Sequence, residues 1–254
     1  MDLKKLVVGN WKMHGLSSDI EEVKEIARQS SSYPEVDVAL CVPAILIERA
    51  ARAVPGFAIG GQDVHQAGKG AHTGCISAEM LLDAGAVLTI VGHSERRLEQ
   101  RESDCDVKAK ANAALVCGLN VILCVGESLE QRECGNSIAT VLLQLAGSLP
   151  ESLPSGVELA IAYEPIWAIG SGKVPTSEEI AQMHLAIRDE LRARFGETGT
   201  GLRILYGGSV KSSNAAEIFA VANVDGGLVG GASLKSIDFI PIVAAAAGST
   251  SKPA

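Results

Sequence analysis

The sequence predicts an α/β fold: a single domain whose eight parallel strands close into a (β/α)8 barrel with helices outside. Three observations carry this reading. Short β-rich runs recur eight times with helix-like segments between them, and that alternation implies parallel pairing through crossover helices. The first run leads into Gly9-Asn10-Trp11-Lys12, without the G-x-G-x-x-G fingerprint that an open doubly wound sheet usually offers. Polar groups instead follow several different strands, and only a closed barrel gathers the carboxyl ends of the first, fourth, sixth, seventh and eighth round one mouth.

In chain order, the strand-like runs are Leu6–Gly9, Val36–Val42, Phe57–Gly61, Val87–Gly92, Val121–Val125, Leu159–Tyr163, Arg203–Tyr206 and Gly227–Gly230. Between the first two, Ser17-Ser18-Asp19 caps a run carrying Ile20, Val23, Ile26 and Ala27 on one face. After the sixth, Ser177-Glu178-Glu179 opens a helix with Ile180, Met183, Ile187 and Leu191, ending near Gly196. No linker or low-complexity segment divides the 254 residues. Residues 1–247 are expected to form the barrel domain, and 248–254 a disordered tail.

Composition narrows the function. The net charge is -8 and no basic cluster exceeds pairs such as Lys4-Lys5 and Arg96-Arg97, which argues against a nucleic-acid partner. Lys4-Lys5 is followed only by Leu6-Val7-Val8 before Gly9-Asn10, too short a run for a signal core, and no apolar run is long enough to span a membrane. Cys41, Cys75, Cys105, Cys117, Cys124 and Cys134 include no C-x-x-C pair, so reduced thiols in a cytoplasmic protein are expected. His65 and His72 share a Gly-rich loop with no third ligand in spacing, so no metal site is expected.

The chemistry gathers at the strand ends. Glu164 ends the buried run Leu159–Tyr163; Pro165 stiffens the exit, Gly170 and Gly172 loosen the far end, and Ile166, Trp167, Ala168 and Ile169 lie between. That is the layout of a carboxylate base under an apolar lid, since surface loops seldom leave a Trp and two Ile in solvent. Tyr206-Gly207-Gly208-Ser209 and Val229-Gly230-Gly231-Ala232 are two glycine-rich turns after the seventh and eighth strands, where barrels often hold phosphate on backbone N–H groups. His93 follows the fourth strand and leads into Ser94-Glu95-Arg96-Arg97, a new helical turn whose positive end disfavours the imidazolium, although such a His can also simply satisfy local backbone. Lys12 is a cation in an apolar setting beside Asn10, and an isolated charge there needs an anionic partner. A base, a neutral His, a Lys and a phosphate nest, with no cofactor motif, suggest proton abstraction beside a carbonyl.

Gly9-Asn10-Trp11-Lys12-Met13, Gly92-His93-Ser94-Glu95-Arg96-Arg97, Cys124-Val125-Gly126-Glu127, Tyr163-Glu164-Pro165-Ile166-Trp167-Ala168-Ile169-Gly170, Tyr206-Gly207-Gly208-Ser209-Val210 and Val229-Gly230-Gly231-Ala232-Ser233-Leu234 resemble, in order and over nearly the whole chain, the triosephosphate isomerase family. The resemblance implies a TIM barrel acting as a cofactor-independent homodimer in glycolysis and gluconeogenesis, interconverting dihydroxyacetone phosphate and D-glyceraldehyde 3-phosphate. It implies Glu164 as base, His93 as electrophile, Lys12 and Asn10 as groups that bind substrate and stabilise the enediolate, and Glu95 as a supporting carboxylate. Gly170, Ser209, Gly230 and Gly231 would bind phosphate. The polar stretch from Asp63 to Ser77 would be an arm inserted into a partner subunit, carrying Thr73 to the partner's site. Two departures stand out: Ser171 where Thr is common in the lid, and Cys75 where the family usually has a Glu, which would leave Arg96 short of a partner across the interface. Two other readings stay open, another phosphosugar barrel enzyme or a barrel kept for binding alone.

Overall fold

The computed structural model describes residues 3–169 and 173–250. Among them, β1 (Lys5–Asn10), β2 (Val36–Cys41), β3 (Ala58–Gly61), β4 (Leu88–Val91), β5 (Asn120–Val125), β6 (Leu159–Tyr163), β7 (Arg203–Tyr206) and β8 (Gly226–Val229) pair in parallel in chain order. β8 closes on β1 with Leu6 opposite Gly226. A side chain at position 226 would put its Cβ 1.9 Å from the Leu6 carbonyl oxygen, and φ there is +139°, so the closing seam needs glycine.

Alternation along the strands makes two apolar cores. Leu6, Val8, Ala39, Cys41, Leu88, Ile90, Ile122, Cys124, Ala160, Ala162, Leu205 and Leu228 fill the barrel. The opposite phase, including Val7, Leu40, Leu123, Ile161, Tyr163 and Tyr206, packs outward against the helices. The fully buried leucines and isoleucines each contribute ~1.5–3 kcal/mol of transfer free energy. No helix among the described residues is long and apolar enough to cross a membrane.

The amino-terminal ends of the strands form a charged floor. Asp37 accepts from Lys4 at 2.6 Å and from Arg203 at 2.7 Å, Arg203 also pairs with Glu158, and the Glu158 N–H donates to Asn120 Oδ1 at 2.8 Å. These groups come from the starts of β1, β2, β5, β6 and β7.

Helix boundaries differ from expectation by small steps. Ser17–Asp19 is a 3₁₀ turn leading into the helix Ile20–Ser30, with Asp19 Oδ2 accepting the Leu16 N–H at 2.8 Å. The helix Ser177–Phe195 is capped by Thr176 and not by Ser177, because Glu179 sits three residues after Thr176 and completes a reciprocal capping box. The last helix, Ser236–Thr250, continues past Gly248, where the sequence suggests that the tail begins; the alanines at 244–247 are strong helix formers and carry it onward. Residues 251–254 lie outside the described residues.

Candidate active site

The mouth follows from the phase of alternation. Leu6 and Val8 point inward, so Asn10 at the end of β1 does too; Ala160 and Ala162 point inward, so Glu164 just past β6 follows them. Both are buried, Asn10 at 5% exposed and Glu164 at 1%. Gly126, just past β5, lets these strand ends approach: a Cβ there would sit 1.8 Å from the Glu164 carbonyl oxygen.

His93 caps the helix Ser94–Glu99. Its Nδ1 accepts the Glu95 N–H at 3.3 Å, which leaves Nε2 as the protonated nitrogen of a neutral ring. Nε2 lies 2.9 Å from Glu164 Oε1, and Glu164 Oε2 accepts the Ser94 N–H at 2.9 Å. Burial pushes the Glu164 carboxyl up, but His93, the Ser94 N–H and Lys12 outweigh it and hold it below the usual carboxylate range. Burial of His93 opposes the imidazolium while the touching Glu164 carboxylate favours it, and in this paired arrangement the balance lies above the ordinary histidine value. The Cys124 thiol is pushed well up, first by burial and then by the same carboxylate.

Lys12 has φ +53°, in the left-handed region that costs an L-residue ~1–2 kcal/mol. Asn10 Oδ1 accepts the Lys12 N–H at 3.1 Å, and Trp11 donates its Nε1–H to the Ser233 carbonyl at 3.0 Å, tying the end of β1 to the 3₁₀ turn Gly231–Ser233. The anionic partner expected for Lys12 is Glu95, whose Oε1 is 2.5 Å from Nζ.

A cavity of about 300 Å³ brings Asn10, Lys12, His93 and Glu164 together with Ser209, Gly230 and Gly231. A Cβ added to Gly231 would meet no heavy atom within 4 Å, so its backbone faces open space. The Ser209 hydroxyl donates to the Ala168 carbonyl at 2.8 Å, tying the β7 loop to the segment after Glu164. Gly170 lies outside the described residues. Glu95 faces a neighbouring cavity of about 400 Å³ that shares Asn10, Lys12 and His93 and extends to Cys75 and Arg96. Thr73 and Cys75 are exposed on the loop between His65 and Ser77.

Arg96 differs from expectation. Its guanidinium is paired within its own chain, with Asp63 Oδ2 at 2.8 Å and Glu102 Oε1 at 2.7 Å, and Lys110 joins both carboxylates at 2.7 and 2.6 Å. Within this chain, two cations thus meet two carboxylates.

Two residues of the quoted motifs were given no role by sequence reasoning. Arg97 donates to the carbonyls of Gly92 at 2.8 Å and Cys124 at 3.1 Å, holding the β4 loop to β5. Glu127 points outward behind the wall, accepting from the Tyr163 hydroxyl at 3.0 Å and the Trp167 Nε1–H at 2.9 Å. Its place one residue past the inward Gly126 was the available signal. Among the described residues, no group of three or more His, Cys, Asp or Glu could hold a metal ion.

Residues 5–246 match the profile of the family described as triosephosphate isomerase. The chain is 55% identical over 247 residues to triosephosphate isomerase of Ruegeria sp. strain TM1040, covering 97% of this chain and 99% of that protein. It is 51% identical over 244 residues to that of Xanthobacter flavus, covering 95% and 97% respectively. The crystal structure of triosephosphate isomerase from Bartonella henselae superposes with a TM-score of 0.87 at 42% identity, covering 96% of this chain and 99% of that one. Likeness of this extent, in sequence and in fold alike, makes the chain a member of the triosephosphate isomerase family.

Proposed function

We propose that the mouth interconverts dihydroxyacetone phosphate and D-glyceraldehyde 3-phosphate through an enediolate, with Glu164 as base and His93 as electrophile. The observation that carries this is the 2.9 Å contact between Glu164 and the Nε2 of a His93 whose other nitrogen is already occupied by the Glu95 N–H. Glu164 takes the proton from the carbon beside the carbonyl. In doing so it leaves His93, and the Nε2–H that it held becomes free to donate to the substrate oxygen. Without the touching carboxylate, burial and the helix N-terminus both favour the neutral ring. Lys12 adds positive charge where the oxyanion develops, and Asn10 holds the Lys12 backbone in its left-handed turn. Glu164 then returns the proton to the neighbouring carbon, while the hydroxyl proton passes from the one substrate oxygen to the other by way of His93 Nε2, so that carbonyl and hydroxyl exchange places. Ser209, Gly230 and Gly231 flank the place for the phosphate, with Gly170 completing it from the lid.

The segment from Pro165 to Val174 serves as the lid, excluding water and suppressing phosphate loss from the enediolate; this family is itself a standard example of such a loop. The working form is a homodimer in the cytoplasm. Met13, Ile45 and Leu98 are 96%, 78% and 65% exposed, and the 400 Å³ cavity beside Lys12 and Glu95 offers a seat for the partner's arm with its Thr73. A coupled assay with glyceraldehyde 3-phosphate tests the reading. Turnover that is lost on changing Lys12, His93 or Glu164 supports it; no turnover by the intact chain would leave a binding barrel, and aldol cleavage would mean a different phosphosugar enzyme.

A further inference from the structure

The charges at the mouth set a problem for a phosphate ester. The chain carries a net charge of -8, so a dianion approaches against the overall field unless the site supplies positive charge of its own. Among the described residues, Glu164 is the only carboxylate that lines the 300 Å³ cavity, and Lys12 and Lys211 are its only lysines. Lys12 is already matched by Glu95, 2.5 Å from its Nζ. With the imidazoles of His14 and His93 neutral, these groups leave the cavity one negative charge before Lys211 is counted.

Lys211 differs from Lys12 in having no match. It is exposed on the loop after β7, and its ammonium makes no ion pair or hydrogen bond among the described residues. Its backbone, in contrast, is fixed. The Lys211 N–H donates to Asn214 Oδ1 at 2.8 Å, and Asn214 Nδ2 donates to the Ser209 carbonyl at 3.1 Å. The N–H groups of Asn214 and Ala215 both donate to the Lys211 carbonyl, at 3.1 and 3.0 Å. Val210 between them is buried in the outer core, and Ser209 and Lys211 both line the cavity. The loop therefore carries Ser209 of the proposed phosphate seat and, two residues on, an unmatched cation. On the β8 side the stem of Lys12 passes Gly230, where an added Cβ would lie 3.6 Å from Lys12 Cε.

We propose that Lys211 is a specificity-determining residue that selects substrates by the charge of their phosphate, drawing the dianion to the seat formed by Ser209, Gly230 and Gly231. The proposal rests on the phosphate reading given above and adds a group to it. A solvated ammonium on a flexible stem acts as a point charge, so its pull reaches beyond contact and is screened by salt. Lys12, tied to Glu95, serves the developing oxyanion; Lys211, free of any carboxylate, serves the phosphate. Its effect falls on capture of the substrate and not on the proton transfers at Glu164.

The test measures kcat and KM for glyceraldehyde 3-phosphate in the parent, Lys211→Met and Lys211→Arg across a range of ionic strength. D-Glyceraldehyde, which has no phosphate, is followed in parallel by hydrogen exchange in D₂O. At about 20 mM ionic strength Lys211→Met should lower kcat/KM for the phosphate ester about three- to tenfold, with kcat within about twofold of the parent. At about 0.5 M the gap should close to less than about twofold, because salt screens an exposed charge. Lys211→Arg keeps the charge and should stay within about twofold of the parent throughout. Exchange into D-glyceraldehyde should be the same in all three. A merely structural role would lower both substrates alike and would not respond to salt, and that result would overturn the proposal. So would an Arg variant as impaired as the Met variant. Equal kcat/KM for the phosphate ester in parent and Lys211→Met at low ionic strength would overturn it while leaving the isomerase reading standing. If Lys211→Met does not fold, Lys211→Gln decides by the same criteria. A parent that turns over no glyceraldehyde 3-phosphate would overturn the phosphate reading and the selection by Lys211 together.

Discussion

In the proposed reading, replacing Glu164 by Gln removes the base and changes almost nothing else in shape. The two carboxylate oxygens now accept from two N–H donors, His93 Nε2 and Ser94 N, each at 2.9 Å. Gln offers one acceptor and one NH₂, so one donor must face another donor in a buried place, at a cost of ~1–3 kcal/mol in stability. The kinetic effect is larger. A positioned acid–base group contributes ~10²–10⁴ in rate, equivalent to about 3–5 kcal/mol of barrier. The nearby carboxylate of Glu95 is not a substitute: it is paired with Lys12, and its free oxygen lies 3.7 Å from Nδ1, on the other side of the imidazole. In the proposed reading phosphate is held by other groups, so KM should stay within about threefold of the parent. We therefore expect kcat to fall at least ~10²-fold in both directions. Coupled assays measure this, and hydrogen exchange into dihydroxyacetone phosphate in D₂O, followed by NMR, reads proton abstraction directly. Near-parental kcat with continued exchange would take Glu164 out of the role.

Three further outcomes follow. His184 is fully buried, with Nδ1 hydrogen-bonded to the Asn223 carbonyl at 2.9 Å, and burial pulls its pKa from 6.5 to about 4. The unfolded chain takes up a proton below about pH 6.5 that the folded chain refuses until about pH 4, so stability is full above that window and declines as pH falls through it, by about 3 kcal/mol in all. Urea unfolding of the parent and His184→Gln at fixed protein concentration should give stabilities that converge from pH 7 to pH 4.5; parallel curves would refute it. The dimer should lose activity on dilution as it dissociates, read by sedimentation and assay across one series, and a fully active monomer would sink the shared site. Because Arg96 is already paired with Asp63 and Glu102, Cys75→Glu should change the dimer dissociation constant by less than about threefold, and a clear tightening would show that Arg96 turns outward in the dimer.

Most of the strands were legible because they are short apolar runs that end at a polar or glycine residue, and the proposed reacting groups were legible because they lie at those ends. Counting alternation from Ala160 and Ala162 already turns Glu164 inward. What remained hidden depends on partners distant in sequence. Arg96 and Asp63 lie on different loops, so neither local pattern shows that they neutralise each other. Gly126 read as one letter of a motif, and its purpose, contact with the Glu164 backbone, appears only when β5 lies beside β6. The cap at Thr176 was displaced by one residue because two hydroxyl residues adjoin there, and only the position of Glu179 chooses between them. Arg132 had no local signal at all, since its partners Glu127, Trp167 and Glu179 come from three separate stretches of the chain.

The charged floor has a consequence for hydration. A lid can dry a reaction chamber only if the chamber has one door. Asp37, Glu158 and Arg203 line a cavity of about 380 Å³ at the far end, and above it the fully buried Val8, Cys41, Ile90, Cys124 and Leu205 fill the bore. The filled bore leaves the mouth as the route for solvent to Glu164, so in the proposed reading a lid over the mouth alone governs the wetness of the site. Loss of packing in the bore would then register as a leak: in the proposed reading, with Glu164 and His93 unchanged, water rising through the bore would raise the share of intermediate lost as phosphate.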